Sequence, residues 1–208
     1  MIIIPIPAPY CNEKWDFKKQ GDDWQCECKE GNSQSPINLP KAHEAIRFYN
    51  KTLFDFYTVP KEKKLQAVYE DYMIKVKGLF GRLVSWDLIQ YDAYEMQFHT
   101  HSDHSIKGEY YDLEAQIHFR ASTPGYISKL AVLSVLFKVK PGAKNLFFDK
   151  DINILDLPDQ TEKTKYIKND INIKDLFLDD EVDLFQPFSY YQYEGSLTTP
   201  PCQGIYIL

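Results

Sequence analysis

The sequence contains no apolar run that approaches the roughly twenty residues of a membrane-spanning helix, although 44% of its 208 residues are hydrophobic. The opening stretch Met1–Pro9 has no basic residue and is interrupted by prolines, so it does not resemble a secretory signal. Internal repeats, low-complexity tracts and linkers rich in Gly and Ser are also absent. These absences predict a single globular domain over residues 1–208, without a transmembrane segment.

The chain also has no excess of positive charge. The chain has 24 Lys and Arg against 30 Asp and Glu, which gives a formal net charge of −6 and a pI near 5.4. Its lysines are scattered among acidic residues and are typical of solvated surfaces. This balance argues against nucleic acid or an anionic membrane as a partner.

Cysteine is scarce, with four residues at positions 11, 26, 28 and 202. The spacing of Cys26 and Cys28, without a second close pair, argues against a structural zinc knuckle. An even count with one distant member fits two disulfides, and it also fits four free thiols in a reducing compartment. Composition leaves both alternatives open.

Strand patterns dominate the chain after an irregular N-terminal segment over residues 1–33. Segments with strand-like composition, alternation or a continuous apolar run are Val68–Val76, Tyr94–His101, Leu113–Phe119 and Leu130–Phe137. The last segment is apolar at all but one position, which predicts a strand buried on both faces. Residues 151–186 are acidic and loop-like, with one short helix predicted near residues 172–178. The pattern indicates a mainly β domain.

Four segments, in order along the chain, carry a family resemblance. They are Gln34–Leu39 (QSPINL), Phe98–Glu114 (FHTHSDHSIKGEYYDLE), Leu130–Leu133 (LAVL) and Gly195–Cys202 (GSLTTPPC). Taken together they resemble the α-carbonic anhydrase family. The resemblance implies a large twisted, mostly antiparallel sheet with a conical cavity, short peripheral helices and long loops.

The chemistry of that family needs three neutral imidazoles around Zn²⁺ and an open fourth position for a reactive water. The resemblance places Gln116 at the third ligand position, where an amide oxygen is a poor substitute for imidazole. The first two positions depend on register. The ungapped alignment, which we favour, places Gln97 and His99 there, whereas a two-residue gap places His99 and His101. Neither register leaves three histidines.

A rebuilt metal site formed by His99, His101 and His118 is the alternative. His118 lies two residues beyond Gln116 and should face the same side of the strand. Moving one ligand by the roughly 6.5–7 Å between such residues, however, would spoil tetrahedral geometry around zinc. We therefore expect no cofactor, and zinc only if this alternative holds.

The supporting residues of the family site are partly retained. The resemblance assigns Asp103 to the carboxylate that orients the threonine gatekeeper, and Thr198 to that gatekeeper. Thr199 matches a neighbour in the substrate pocket. Tyr72 falls at the position of the proton-shuttling histidine, and a tyrosine with a pKa near 10 is a poor shuttle at neutral pH. We interpret all four as vestigial.

The resemblance also bears on the cysteines. Extracytosolic family members pair the cysteines at the positions of Cys28 and Cys202, which leaves Cys11 and Cys26 as the second pair. Two disulfides favour an oxidising compartment, whether secreted, cell-surface or a lumen between membranes. The chain stops at residues 205–208, where family members begin a substantial C-terminal portion. Either the sequence is a fragment or something else supplies the missing elements, and an uncovered sheet edge would be suited to docking.

Three functional hypotheses follow from the residues and the resemblance. The leading one is a catalytically inactive carbonic-anhydrase-related protein that serves as a structural or protein-binding module, as a subunit of a larger assembly. The alternative is an active zinc enzyme, a carbonate dehydratase catalysing reversible CO₂ hydration with an atypical ligand set. The third is a protein that binds small anions or other ligands in the vestigial cavity.

Overall fold

A computed structural model describes residues 15–19, 21–25, 27–41, 54–57, 65–85, 88–177 and 190–207. Within these residues, the strands in chain order are β1 (Asn38–Leu39), β2 (Phe54–Tyr57), β3 (Gln66–Glu70), β4 (Met73–Ser85), β5 (Gln90–His99), β6 (Ser105–Ile106), β7 (Glu109–Tyr110), β8 (Leu113–Ala121), β9 (Leu130–Phe137), β10 (Thr164–Tyr166), β11 (Tyr193–Ser196) and β12 (Gly204–Ile207). Strands therefore form most of the regular structure.

The strands assemble into one large and one small sheet. The large sheet has nine strands in the order β10-β3-β4-β5-β8-β9-β12-β11, and β2 pairs with β4 beside this path. Its neighbouring strands run antiparallel except β9 and β12, which are parallel. The small sheet joins β1, β6 and β7. The large, mostly antiparallel sheet implied by the resemblance is confirmed.

Helices in the described part of the chain are few and short. They are an α-helical turn (Glu27–Glu30), a π-helical turn (Phe147–Asp151) and two 3₁₀ turns (Ile154–Asp156 and Ile173–Leu176). The last lies inside the segment predicted as helical, and the Asn172 side chain caps its start by accepting from the Lys174 N–H at 3.2 Å. None of the described helices is long and apolar enough to cross a bilayer.

The strand predictions hold with corrections, and the segment predicted as Tyr94–His101 ends as β5 at His99. Val68–Val76 is not one strand but a hairpin, because Asp71 and Tyr72 form a two-residue loop in which both φ angles are positive, at 51° and 65°. The pair Asp-Tyr lacks the Asn-Gly or Asp-Gly signal of such loops, so the sequence hides the turn. The loop-like reading of residues 151–186 overlooked β10, which pairs with β3 at one edge of the sheet.

The apolar run Leu130–Phe137 coincides with β9. Only Ala131–Leu133 are buried, however, while the remaining side chains of the strand are half-buried. One polar residue, Ser134, interrupts the run. The prediction of a strand buried on both faces is therefore correct for its first half.

The two faces of the central strands differ in chemistry. On β8, Ala115, Ile117 and Phe119 are fully buried, and Ile117 and Phe119 belong to the main hydrophobic core. Apolar side chains of the segment that follows β9, including Phe147 and Ile173, belong to the same core. Because side chains alternate along a strand, the polar residues Glu114, Gln116 and His118 project from the opposite face of β8.

A disulfide connects the beginning of the described chain to its end. It joins Cys28 to Cys202, the pair that the resemblance implied, with Cα atoms 5.0 Å apart across 174 residues of sequence. The Ser35 N–H donates to Ser196 Oγ at 2.9 Å, and the Ser196 N–H donates to Ser35 Oγ at 3.1 Å. The disulfide and these hydrogen bonds hold the segment before β1 against β11. Cys11 and Cys26 lie outside the described residues.

Candidate functional site

A buried layer of polar side chains covers one face of β5 and β8. It consists of Gln97, His99, Glu114, Gln116 and His118, and none of them is more than 6% exposed. In the antiparallel register, Gln97 lies opposite Gln116 and His99 lies opposite Glu114. Directly opposed residues point to the same side of a sheet, so the five side chains share one face. We refer to these residues as the polar layer.

The amide of Gln116 is fully engaged by its neighbours. Its Nε2 donates to Glu114 Oε1 at 2.8 Å and lies 3.3 Å from Asp103 Oδ2. The Thr198 hydroxyl lies 3.2 Å from both amide atoms, so it can donate to Oε1 and accept from Nε2. The carbonyl oxygen, the atom of the amide that could bind a metal ion, therefore already uses one of its two lone pairs as an acceptor.

The His99 ring contacts the Asp103 carboxylate through its Nδ1 atom. Its Nδ1 lies 3.0 Å from Asp103 Oδ2, and its Nε2 has no hydrogen-bond partner. The resemblance gave Asp103 the role of orienting the Thr198 hydroxyl. In the structure the carboxylate contacts His99 and Gln116, and the Gln116 amide lies between it and the threonine.

His118 shares the face of Gln116 and is buried, as its spacing predicted. Burial, followed by the neighbouring charges of His99 and Lys75, lowers the pKa of His118 to about 3, so the imidazole is neutral at physiological pH. Its Nε2 has no partner. The ring packs edge-on against Tyr94, with the centroids 6.2 Å apart.

Glu114 is the anchor of a second buried network. Glu114 Oε1 lies 2.8 Å from His104 Nδ1, and His104 Nε2 lies 2.6 Å from the Tyr193 hydroxyl. The His104 backbone N–H and the Ser134 hydroxyl also donate to the carboxylate, both at 2.9 Å. Burial opposes ionisation of Glu114, but the interactions with His104 and Ser134 outweigh it and lower its pKa to about 2.

Three other predicted residues lie apart from the polar layer. His101 is exposed beyond the end of β5, so the structure does not bring together the set His99, His101 and His118. Tyr72 is 65% exposed in the β3–β4 turn, and its ring lies 6.5 Å from that of Phe17. Thr199 is buried, and its carbonyl accepts from the Cys202 N–H at 3.0 Å in the loop before β12.

Sequence reasoning missed the roles of Lys75 and Ser134. Lys75 lies opposite Gln97, and its ammonium is 2.7 Å from Asp71 Oδ2 and 3.3 Å from Glu70 Oε1. Burial disfavours the charged form, but these carboxylates outweigh it and raise the pKa of Lys75. The isolated polar Ser134 within an apolar strand was a signal that could have been followed.

The donor set does not fit the zinc site of the family. The polar layer offers one unpartnered amide oxygen on Gln97 and two imidazoles, those of His99 and His118, on separate strands, while the Gln116 amide is engaged. Within the described ranges, no three His, Cys, Asp or Glu side chains form a group that could hold a metal ion. A tetrahedral site of three imidazoles therefore has no counterpart in these residues.

A large antiparallel sheet with few short helices, and a threonine-bearing loop reaching a polar layer on its central strands, define an α-carbonic-anhydrase-like protein. The family model described as eukaryotic-type carbonic anhydrase matches residues 12–206, and the chain belongs to this family.

Curated relatives and a solved structure support the assignment. The chain is 31% identical to dioscorin dioA3 of Dioscorea japonica over 93% of its length, and 29% identical to alpha carbonic anhydrase 6 of Arabidopsis thaliana over 90%. It spans only 65% and 64% of those two relatives. The α-carbonic anhydrase of Thermovibrio ammonificans, solved with sulfanilamide, is 28% identical with a TM-score of 0.68 and covers 87% of this chain and 72% of its own.

Proposed function

We propose that this protein is a carbonic-anhydrase-related protein that does not hydrate CO₂ and serves as a structural or protein-binding module. The observation that carries the proposal is the state of Gln116, whose amide oxygen accepts from Thr198 while its nitrogen donates to Glu114. The side chain at the third ligand position is thus an integral part of a hydrogen-bond network. These hydrogen bonds fix the amide in the network and occupy one lone pair of its oxygen, which disfavours its use as a metal ligand.

The rest of the molecule supports a role that depends on the scaffold. The network of Glu114, His104 and Tyr193 and the Cys28–Cys202 disulfide stabilise the fold around the polar layer. The contacts that stabilise the fold are present, whereas the three imidazoles that would hold a zinc-bound water are not. These residues therefore support a stable fold without the activity. The disulfide also supports an extracytosolic, oxidising compartment for the protein.

A CO₂ hydration assay on zinc-supplied protein tests the loss of activity. We expect the unaltered chain to hydrate CO₂ no faster than buffer, and the same rate from a Thr198→Ala variant. A rate above buffer that falls in Thr198→Ala would show that the site is catalytic and would support the atypical zinc enzyme instead. A rate above buffer that is unaffected by Thr198→Ala would point to contamination, which repurification of the same variant pair would remove if our proposal holds.

A further inference from the structure

A pocket lies between β3, β10 and the segment that follows β9. Its volume is about 70 Å³, well above the roughly 10–15 Å³ that one water molecule needs. Ala67, Ile152 and Ile167, which line it, belong to the main hydrophobic core. The pocket therefore lies on the core side of the large sheet, away from the polar layer, and has room for a small organic group.

A buried carboxylate forms part of the wall of this pocket. Asp151, the last residue of the π-helical turn, is 1% exposed and lines the pocket. Its Oδ2 accepts from the Asn172 N–H at 2.9 Å. Among the residues with described positions, no basic side chain forms an ion pair with Asp151, because Lys165 and Lys168 of the pocket wall both contact Asp156 instead, at 3.4 and 3.2 Å.

The surroundings of Asp151 are short of positive charge. Burial raises the pKa of its carboxyl group, and the neighbouring charges of Asp175 and Asp170 raise it further. The Asn172 N–H and the charge of Lys150 lower the pKa without offsetting these effects. Because an opposite charge nearby stabilises an ionised carboxylate, a cation that entered the pocket would be bound favourably.

The two lysines of the pocket wall do not exclude a cation. Asp156 contacts both ammonium groups, and Glu162 Oε2 lies a further 3.6 Å from Lys165 Nζ. The Lys168 side chain is 81% exposed, so water and salt screen its charge. These ion pairs balance the lysines, whereas the buried Asp151 is left without a counterion inside the pocket.

An organic ammonium fits this pocket better than a metal ion. Calcium takes six to eight oxygen ligands, and the described ranges contain no group of three His, Cys, Asp or Glu that could hold a metal. The apolar side chains of Ala67, Ile152 and Ile167 suit methylene groups instead. The wall also includes Tyr166, whose ring can attract an ammonium through its face.

We propose that this pocket binds the ammonium group of a small aliphatic primary amine, with the Asp151 carboxylate as its acceptor. The three N–H donors of a primary ammonium suit a carboxylate, and its alkyl stem packs against the apolar wall. The source of the group is either a free amine or a lysine side chain of another protein. The inference goes beyond the proposed function and does not depend on the polar layer.

Assigned ¹H–¹⁵N spectra test the proposal with methylammonium and Nα-acetyl-lysine methylamide, added at constant ionic strength. The Asn172 amide, which donates to Asp151, is the reporter. We expect saturable shifts of its resonance with both amines. An affinity at least fivefold higher for the lysine derivative would identify a lysine side chain as the source, and equal or weaker binding would identify a free amine.

Tetramethylammonium is the matched comparison, because it carries the same charge without an N–H donor. It should leave the Asn172 resonance unchanged. Failure of both amines to shift this resonance, or an equal response to tetramethylammonium, would overturn the proposal. This comparison uses the unaltered chain and therefore needs no variant to fold.

Two variants of the π-helical turn locate the binding. Asp151→Asn keeps an oxygen for the Asn172 N–H but removes the charge, so it should weaken binding of the amines by roughly tenfold or more, the loss of a charge-assisted hydrogen bond. Asp149→Asn, at an exposed position of the same turn, should leave the affinity unchanged. Asp151→Asn should unfold at no lower a urea concentration than the unaltered chain, since a neutral amide avoids the burial of a charge. Undiminished binding by folded Asp151→Asn would contradict the proposal.

Discussion

Replacing two glutamines by histidine, in the double variant Gln97→His/Gln116→His, should create a zinc site where the unaltered chain has none. The two positions lie opposite each other on β5 and β8, and His99 already projects from the same face. Three imidazoles would then converge as the family chemistry requires. Apparent binding free energies of structural zinc sites are on the order of 10 kcal/mol, so we expect bound zinc to rise from a trace to about one equivalent.

The surroundings of the polar layer are already suited to orient such ligands. Asp103 Oδ2 lies 3.0 Å from His99 Nδ1, and Glu114 Oε1 lies 2.8 Å from the Gln116 amide nitrogen. Carboxylates in these places would fix the imidazole rings and raise their basicity. The carboxylates that would support zinc ligands are therefore present, although two of the three imidazoles are not.

Elemental analysis after dialysis against zinc measures the gain. The matched control is Gln90→His, which adds one imidazole to the same strand at an exposed position. If the double variant retains no more zinc than this control, positions 97, 99 and 116 do not converge as the strand register indicates, and our assignment of the vestigial site would be wrong.

Glu114→Gln should lower the free energy of unfolding by about 3 kcal/mol at neutral pH, because it removes the charge at the centre of the His104 network. Burial opposes ionisation, but the contacts with His104 and Ser134 hold the pKa of Glu114 at about 2 in the folded protein, below its ordinary value of 4.5. Its contribution to stability is therefore fully present above about pH 4.5 and is lost as the pH falls towards 2. The variant should lack this part of the acid dependence.

Urea unfolding at several pH values between neutrality and pH 3 measures both effects. Glu109→Gln, at an exposed glutamate of β7, is the matched control and should change the stability little. Ser134→Ala removes one donor to Glu114 and should cost roughly 1 kcal/mol. Equal losses in Glu114→Gln and Glu109→Gln, or an unchanged acid dependence in Glu114→Gln, would contradict the role assigned to this carboxylate.

The fold could be predicted from the sequence because its signals are local or form short motifs. The apolar run Leu130–Phe137 coincides with β9, and the ordered motifs around Gln34, Phe98 and Gly195 point to one family. The β3–β4 turn could not be predicted, because Asp71 is a weak turn signal and Tyr72, where glycine is usual, gives none, although both adopt positive φ.

The site could be predicted only as a set of residue types. The sequence identifies Gln116 as a departure from the family, but its partner Thr198 lies 82 residues away, and only the folded sheet brings them within 3.2 Å. The orientation of the Gln97 amide likewise depends on Glu95, which shares its face. Hydrogen-bond choices among buried groups depend on geometry that residue spacing does not determine.

The zinc content of the purified, unaltered protein tests the central claim most directly. The chain should be expressed in zinc-replete medium, dialysed without chelator and analysed for metal per chain. The account predicts less than about a tenth of an equivalent, since the polar layer lacks the imidazole set of a zinc site. Close to one equivalent would contradict it and would identify this protein as a metalloprotein with an atypical ligand set.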